Sequence, residues 1–73
     1  MPLISGQPLL DVTLRRDDRV RRWTITPWSM GWTFRFVDSG TVTMSGYPTR
    51  ELMESKRQEW QAEIAAARED GWT

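Results

Sequence analysis

Five arginines cluster near the start of the chain, where their guanidinium groups could bind anions. They flank the acidic pair 17–18, and they are Arg15, Arg16, Arg19, Arg21 and Arg22. A guanidinium can form two parallel hydrogen bonds with a carboxylate or a phosphate. The pattern predicts a basic contact surface, for which an acidic protein, a nucleic acid or water alone are the alternative partners.

Trp28 and Met30 form a second candidate contact site, in the stretch 27-PWSMG-31. Proline cannot donate a hydrogen bond to a strand ladder, so Pro27 predicts the end of a strand and the start of a loop. A tryptophan exposed on such a loop is a typical binding hot spot, because it supplies a large contact area at little entropy cost. The alternative is that Trp28 covers the end of the core. Other apolar residues that could extend this surface are Leu3, Ile4 and Trp72.

The residue types that carry most enzymatic and metal chemistry are missing from the sequence. It has no histidine and no cysteine, which removes the usual general base, thiol nucleophiles and nearly all zinc sites. The single lysine, Lys56, lies among glutamates in a charged stretch, and no glycine-rich phosphate loop is present. The pair Asp17-Asp18 offers fewer oxygens than calcium requires. We therefore expect no enzymatic activity, no cofactor, no bound metal and no small-molecule ligand.

Length and charge limit the partners further. A chain of 73 residues makes one small domain with a marginal core, and its five tryptophans take the place of a staple. Basic and acidic residues balance at ten each, so net charge does not favour attraction to nucleic acid or to an anionic membrane. No apolar stretch has the length of a membrane span, and the N-terminal sequence does not resemble a secretory signal. We expect a soluble cytoplasmic protein, with homo-oligomerisation as a further way to enlarge the core.

The elements that must position these residues are predicted by the alternation of polar and apolar side chains. The first strand begins at Leu9, and the following strands cover 20–26, 32–37 and 41–47. Turns are predicted at 16-RDDR-19 and 38-DSG-40, where aspartate and glycine favour turn backbone.

A helix follows the strands. The segment 50–70 is rich in strong helix formers, Thr49 is its predicted N-cap, and Gly71 predicts a C-terminal cap. The order β-β-β-β-α predicts an α+β fold, a four-stranded antiparallel meander with one C-terminal helix packed on one face. Residues 1–8, rich in proline and glycine, predict an N-terminal arm outside a single small domain of residues 9–73.

The alternation also predicts which residues lie under the helix and which lie on an open face. The predicted core comprises Leu10, Val12, Leu14, Trp23, Ile25, Trp32, Phe34, Phe36, Val42, Met44, Leu52, Met53, Trp60 and Ile64. The predicted open face comprises Thr13, Arg15, Arg22, Thr24, Thr33, Arg35, Thr43, Ser45 and Tyr47. Proteins that bind single-stranded nucleic acid typically offer several stacking rings, and Tyr47 is the single ring here. The alternative is an ordinary solvated sheet face.

Two resemblances accompany this pattern. Four short strands followed by a helix that ends in 69-EDGW-72 resemble the WGR module of DNA-repair proteins, with 30-MGW-32 in place of the Trp-Gly-Arg motif. Because that motif is missing, the resemblance implies no site residues in this chain. The small size and the abundance of tryptophan and arginine resemble an accessory protein of a bacteriophage or a high-GC bacterium.

These features predict a non-enzymatic interaction module that binds a protein partner or a second copy of itself. The predicted contact residues are Trp28, Met30, Arg15, Arg19, Arg21, Arg22, Arg35 and Tyr47. The alternative is a small nucleic-acid-binding protein that uses the arginine-rich first hairpin and the open sheet face. A structural subunit of an assembly is a third hypothesis with the same sequence signature as the first.

Overall fold

The fold, seen in a computed structural model that describes residues 8–73, is one antiparallel sheet followed by one helix. The elements are β1 (Leu10–Arg16), β2 (Arg19–Trp28), β3 (Gly31–Asp38), β4 (Thr41–Tyr47) and α1 (Arg50–Glu69). The strand order β1-β2-β3-β4 makes the sheet a four-stranded meander, so the predicted α+β fold is confirmed. Apart from Pro8, the predicted arm of residues 1–8, with Leu3 and Ile4, lies outside the described residues.

The turn between β3 and β4 sets the register of the last strand. It closes on the pair Asp38–Thr41, and its central residues Ser39 and Gly40 have φ values of 50° and 94°. Positive φ at both central residues is typical of a two-residue type I′ turn, whose twist matches that of the flanking strands. The hairpin predicted at 38–40 is therefore present, but its loop is one residue shorter than predicted because Asp38 belongs to β3.

That one-residue difference reverses the two faces of β4. Thr43 lies opposite Phe36, so the odd-numbered residues of β4 share the sheet face that α1 covers. Val42 and Met44 consequently lie on the other face, which we call the open face, with 47% and 61% of their surface exposed. The prediction that Val42 and Met44 belong to the core is wrong, because a shift of one residue in pairing moves every side chain of a strand to the opposite face.

β2 continues through Pro27 to Trp28, beyond its predicted end at residue 26. β1 pairs with β2 only as far as Ile25, so at Pro27 the residues described here provide a neighbouring strand on one side alone. A proline is tolerated there, because the missing N–H can face the open side without loss of a ladder hydrogen bond. The predicted loop 27–31 is instead a tight turn at 29–30.

Gly31 begins β3 at a point where the backbone at the end of β4 comes very close. Its φ is 142°, and a Cβ placed on it would meet the carbonyl oxygen of Tyr47 and lie 2.9 Å from the Cα of Pro48. Backbone atoms cannot rotate away as a flexible side chain can, so this position requires glycine.

Both ends of α1 are capped as the sequence predicts. The Thr49 Oγ accepts a hydrogen bond of 3.3 Å from the backbone N–H of Leu52. At the other end Gly71 has φ 96°, and the N–H of Trp72 donates to the carbonyl of Ala67 at 3.0 Å. This C-terminal geometry is a Schellman motif, which turns the chain back so that the residue after the glycine packs on the helix.

The core lies between the sheet and α1 and consists mainly of aromatic and aliphatic side chains. The buried members are Leu14, Trp23, Ile25, Phe34, Met53, Trp60, Ile64, Ala67 and Trp72, and the partly buried ones are Leu10, Val12, Trp32, Phe36 and Tyr47. The Phe34 ring lies 4.9 Å from the Trp60 ring and 4.9 Å from the Tyr47 ring, both edge to face. Edge-to-face pairs are favourable because the positive edge of one ring meets the negative face of the other.

The predicted core differs from this one on the helix as well. Leu52 is 51% exposed, so its assignment to the core is wrong. The buried stripe of α1 passes through Met53, and Leu52 lies one residue, about 100°, around the helix from it. Trp72, which the sequence left outside the core, is instead buried in it.

Candidate functional site

The arginines of the first hairpin are divided between the two faces of the sheet. Arg21 lies opposite Leu14, a buried core residue, and therefore projects on the side of α1. Arg22, the next residue, projects on the open face, where it lies opposite Val37. Arg15 and Arg35 also lie on the open face, so the predicted arginine site is not one continuous surface.

Arg19 and Arg21 pack against the core rather than standing free. Their guanidinium carbons lie 5.5 Å and 4.2 Å from the centre of the Trp72 ring. Both also approach Asp38, at 3.7 Å and 3.5 Å. The two arginines thus cover Trp72 through cation–π contact and are compensated by one carboxylate.

Arg22 is held by Asp11 on the open face. Its Nε and one terminal nitrogen donate to the two carboxylate oxygens of Asp11 at 2.9 Å and 2.8 Å. These hydrogen bonds and the charge of Arg22 hold the pKa of Asp11 below its usual value, against a smaller opposing effect of desolvation. A guanidinium engaged in this fork geometry has fewer donors left for a phosphate or for a partner's carboxylate.

Arg15 and Arg35 are the two arginines of the open face that make no ion pair within residues 8–73. Both are exposed. They lie on β1 and β3, with β2 between them. The open face therefore carries two positive charges that no described carboxylate compensates, and they are separated by one strand.

Trp28 and Met30 are exposed, so Trp28 does not cover the end of the core, and its role in binding stays a prediction. Their exposed fractions are 53% and 70%. Trp28 closes the β2–β3 hairpin opposite Gly31, at one end of the open face, and Met30 lies in the turn itself. Leu9, at the start of β1, is exposed at 48%. This end of the molecule presents large apolar side chains to solvent.

Tyr47 lies on the face opposite to the one predicted. It pairs with Trp32 of β3 and packs edge to face on Phe34, so it closes the end of the core under α1. The reversal of β4 that exposes Val42 and Met44 is the same one that removes Tyr47 from the open face. The open face consequently lacks the stacking ring that the nucleic-acid hypothesis assigned to it.

The outer edge of β4 is the feature that the sequence analysis missed. All its residues from Thr41 to Gly46 are exposed, and the strand TVTMSGY contains no charged residue and no proline. Its odd-numbered residues pair with β3, so the N–H and C=O groups of Val42, Met44 and Gly46 point outward. No segment within residues 8–73 pairs with this edge. Seven consecutive residues without a charge were the available signal.

The outer edge of β1 is protected, in contrast. Thr73 exchanges two backbone hydrogen bonds with Arg15, of 2.7 Å and 2.9 Å, and Arg16 forms an ion pair of 2.9 Å with Asp70. The strand also carries the charged side chain of Asp11. Charges and a covering segment are devices by which proteins prevent strand addition at an edge. β4 carries no charge, and no segment among residues 8–73 covers it.

A cleft of about 520 Å³ lies between α1 and the neighbouring strands. Its lining residues are Arg21, Trp23, Phe36, Asp38, Glu63, Ala66, Ala67 and Asp70. Two of its three carboxylates are already paired, Asp38 with Arg21 and Asp70 with Arg16. Across the described part of the chain, no three histidine, cysteine, aspartate or glutamate side chains form a group that could hold a metal ion.

α1 is strongly charged, and residues 8–73 include no helix with the length and apolar character needed to cross a membrane. The site is thus defined by an exposed uncharged strand edge, flanked on the open face by apolar side chains and by Arg35. Comparison of the chain with known proteins found no matching family, no matching curated protein and no matching solved structure.

Proposed function

We propose that the protein is a non-enzymatic interaction module that binds another polypeptide by strand addition to β4. The observation that carries this proposal is the contrast between the two edges of the sheet. β1 is covered by Thr73 and carries charges, whereas β4 is exposed, uncharged and unpaired among residues 8–73. An edge of that kind is a template for a further strand.

Strand addition supplies affinity and specificity from different atoms. The outward N–H and C=O groups of Val42, Met44 and Gly46 would bond to the backbone of any added strand. Selectivity would come from side chains at alternate positions. On the open face an added strand would contact Val42 and Met44, and on the other face it would contact Thr43 and Ser45.

The surroundings of the edge favour a partner strand with apolar residues on one face. On the neighbouring strand β3, Val37 is paired with Val42 and Arg35 is paired with Met44. Val37 and Val42 extend the apolar contact surface. Arg35, which forms no ion pair within residues 8–73, offers its guanidinium to a carboxylate of the partner. A partner that extends across the open face would also reach the exposed ring of Trp28.

The proposal is tested by capturing partners with the wild-type protein and with two variants of one residue. Met44→Pro removes an outward N–H and leaves the ladder with β3 intact, because the N–H of Met44 does not face β3. Met44→Ala removes the side chain and keeps that N–H. We expect Met44→Pro to lose the partner and Met44→Ala to retain most of the binding.

Hydrogen exchange of the captured complex then locates the contact. In the free protein the N–H groups of Val42, Met44 and Gly46 face solvent, so binding by strand addition must slow their exchange. A complex in which these three amides exchange as in the free protein would contradict the proposal.

Binding to nucleic acid stays a hypothesis, and a salt series tests it. Log affinity for DNA falls linearly with log salt, with a slope set by the number of phosphates neutralised. Among residues 8–73, Arg15 and Arg35 are the arginines of the open face without an ion pair, so we expect at most weak binding with a shallow slope. A steep slope, of the size produced by four or five phosphate contacts, that disappears in Arg15→Glu and Arg35→Glu would favour the nucleic-acid function instead.

A further inference from the structure

We propose that the strand added to β4 is β4 of a second copy of this chain, in an antiparallel pair with its two-fold axis at Met44. The inference rests on the proposed function, and it names the partner of the same edge. It is carried by the symmetry of the groups that β4 presents outward, by its lack of charge and by the closure of the opposite edge of the sheet.

The register follows from the outward groups. Val42, Met44 and Gly46 are the three residues whose N–H and C=O groups point away from β3. An antiparallel pair centred on Met44 sets Met44 opposite Met44 of the other copy, and Val42 opposite Gly46. This register overlaps the strands along their whole length and satisfies every outward group, with about six backbone hydrogen bonds in total. Any shift leaves some of these groups unpaired.

The side chains are compatible with that register on both faces. On the open face the branched side chain of Val42 meets a glycine, so the crossing is uncrowded, and the flexible Met44 side chains lie beside each other. On the other face Thr43 meets Ser45, a combination that can form cross-strand hydrogen bonds.

Electrostatics does not oppose self-pairing. β4 contains no charged residue, so no like charges face each other across the new ladder, a clash that destabilises paired strands. The nearest charged side chain on the open face is Arg35, one strand inward. The two copies of Arg35 would lie three strand spacings apart, about 14 Å, which exceeds the screening length at physiological salt.

The covered edge of β1 explains why association would stop at two copies. In the dimer the two β1 strands become the outer edges of one continuous sheet, and each is paired with Thr73 at Arg15. Within residues 8–73 the outer edge of β4 is the free edge of the sheet. A two-fold contact that uses this edge of each copy is closed, so it produces a dimer and not a filament. The interface is small, at the lower end of specific complexes, so we expect a reversible dimer.

The absence of cysteine from the chain makes the register directly testable. In Met44→Cys the two engineered thiols lie in a directly opposed pair, with Cα atoms about 5.5 Å apart, within the range that a disulfide can bridge. In the matched control Val42→Cys the two thiols lie about 14 Å apart along the ladder. The double variant Val42→Cys with Gly46→Cys restores opposed pairs.

Under mild oxidation we expect rapid covalent dimers of Met44→Cys and of the double variant, and at least 10-fold slower dimer formation by Val42→Cys and Trp28→Cys. Equal rates for Met44→Cys and Val42→Cys would overturn the register and with it the proposal. None of these cysteine substitutions disturbs the core, since residues 28, 42, 44 and 46 are all exposed.

Sedimentation supplies the reversible measurement. We expect dimers of the wild-type protein to become detectable as its concentration is raised to about 1 mM. We expect Met44→Pro and Met44→Lys to weaken the association at least 10-fold. A wild-type monomer throughout that range would overturn self-pairing but not strand addition to another protein, which the exchange of captured complexes decides separately. A dimer that persists unchanged in Met44→Pro and Met44→Lys would place the contact elsewhere and would also overturn the inference.

Discussion

The guanidinium carbon of Arg21 lies 4.2 Å from the centre of the Trp72 ring, which joins the first hairpin to the segment after α1. Trp72 follows the glycine of the Schellman motif and is 3% exposed. The core is therefore completed by a residue that follows the helix, and by an arginine that the sequence assigns to binding.

We expect Trp72→Ala to lower the free energy of unfolding by about 3–5 kcal/mol, the range for removal of a buried aromatic side chain. In a domain of this size such a loss is a large part of the total stability. Urea denaturation followed by circular dichroism measures it. Trp28→Ala is the matched control, since Trp28 is 53% exposed, and we expect a change of about 0.5 kcal/mol or less. Equal effects of the two substitutions would contradict the described core.

We expect Gly31→Ala to destabilise the protein by more than about 1 kcal/mol, and Gly46→Ala to have a much smaller effect on the folded monomer. At Gly31 the added methyl group meets the backbone at Tyr47 and Pro48, and φ is 142°. At Gly46 the nearest atom to an added Cβ is 4.0 Å away. Alanine is destabilising where φ is positive and is tolerated elsewhere. Thermal melts at low protein concentration compare the two, and a more severe effect at Gly46 would refute the account of this turn.

The pair Asp11–Arg22 predicts a small dependence of stability on pH. Its hydrogen bonds lower the pKa of Asp11 in the folded state from the usual value of 3.8. The folded state therefore binds the proton less tightly than the unfolded state, so the stabilisation is fully present above the usual pKa and is lost as the pH falls through the lowered one. We expect Asp11→Asn to flatten the dependence below about pH 4, as measured by urea midpoints over pH 2–6. Because the pair is exposed to solvent, the change will be modest.

The ring contact between Phe34 and Trp60 predicts a favourable coupling between these residues. Their centroids lie 4.9 Å apart with an interplanar angle of 66°. We expect Trp60→Ala alone to lower the free energy of unfolding by about 3–5 kcal/mol. In a double-mutant cycle with Phe34→Leu and Trp60→Leu, we expect about 0.5–1.5 kcal/mol of coupling beyond the separate effects. Strictly additive effects would indicate that the rings do not interact.

The order of the elements was predictable from the sequence because each signal acts over a short distance. Thr49 and Gly71 cap the helix through bonds to residues within one turn, so their roles do not depend on the tertiary structure. The alternation in β1–β3 predicts the correct faces because the aromatic residues of β3 all fall on one parity. The core face of three strands and the position of the helix follow from these local patterns.

The faces of β4 were not predictable from apolar alternation. Val42 and Met44 fall on one parity and Tyr47 on the other, so the apolar residues of this strand do not agree on a face. The turn decides between them. Because Asp38 belongs to the strand and the turn has two residues, Thr41 shares a face with Asp38. The side chains of the even-numbered residues of β4 therefore lie on the open face. The positive φ of Ser39 identifies this turn in the structure. Serine in the sequence does not predict a positive φ, because glycine, asparagine and aspartate are the residues that favour it.

The partners of the arginines were also beyond sequence reasoning, because they come from distant segments. Asp38 and Trp72 lie on β3 and beyond α1, yet they meet Arg19 and Arg21. Asp11 meets Arg22 across the first hairpin through the register of that pair. A cluster of like charges in a sequence shows where cations lie, while the fold determines how many of them are left to bind anything.

The bonds between Thr73 and Arg15 also have a consequence for the order of events during synthesis. The three hairpins join neighbouring strands and can form as soon as those strands have left the ribosome, because local contacts need little loop closure. The first strand receives its outer neighbour only after Thr73 has emerged, and the aromatic face of the sheet is covered only after α1 has emerged. The nascent sheet therefore spends the translation of α1 with its tryptophans uncovered, the interval in which a newly made chain most needs protection from its neighbours.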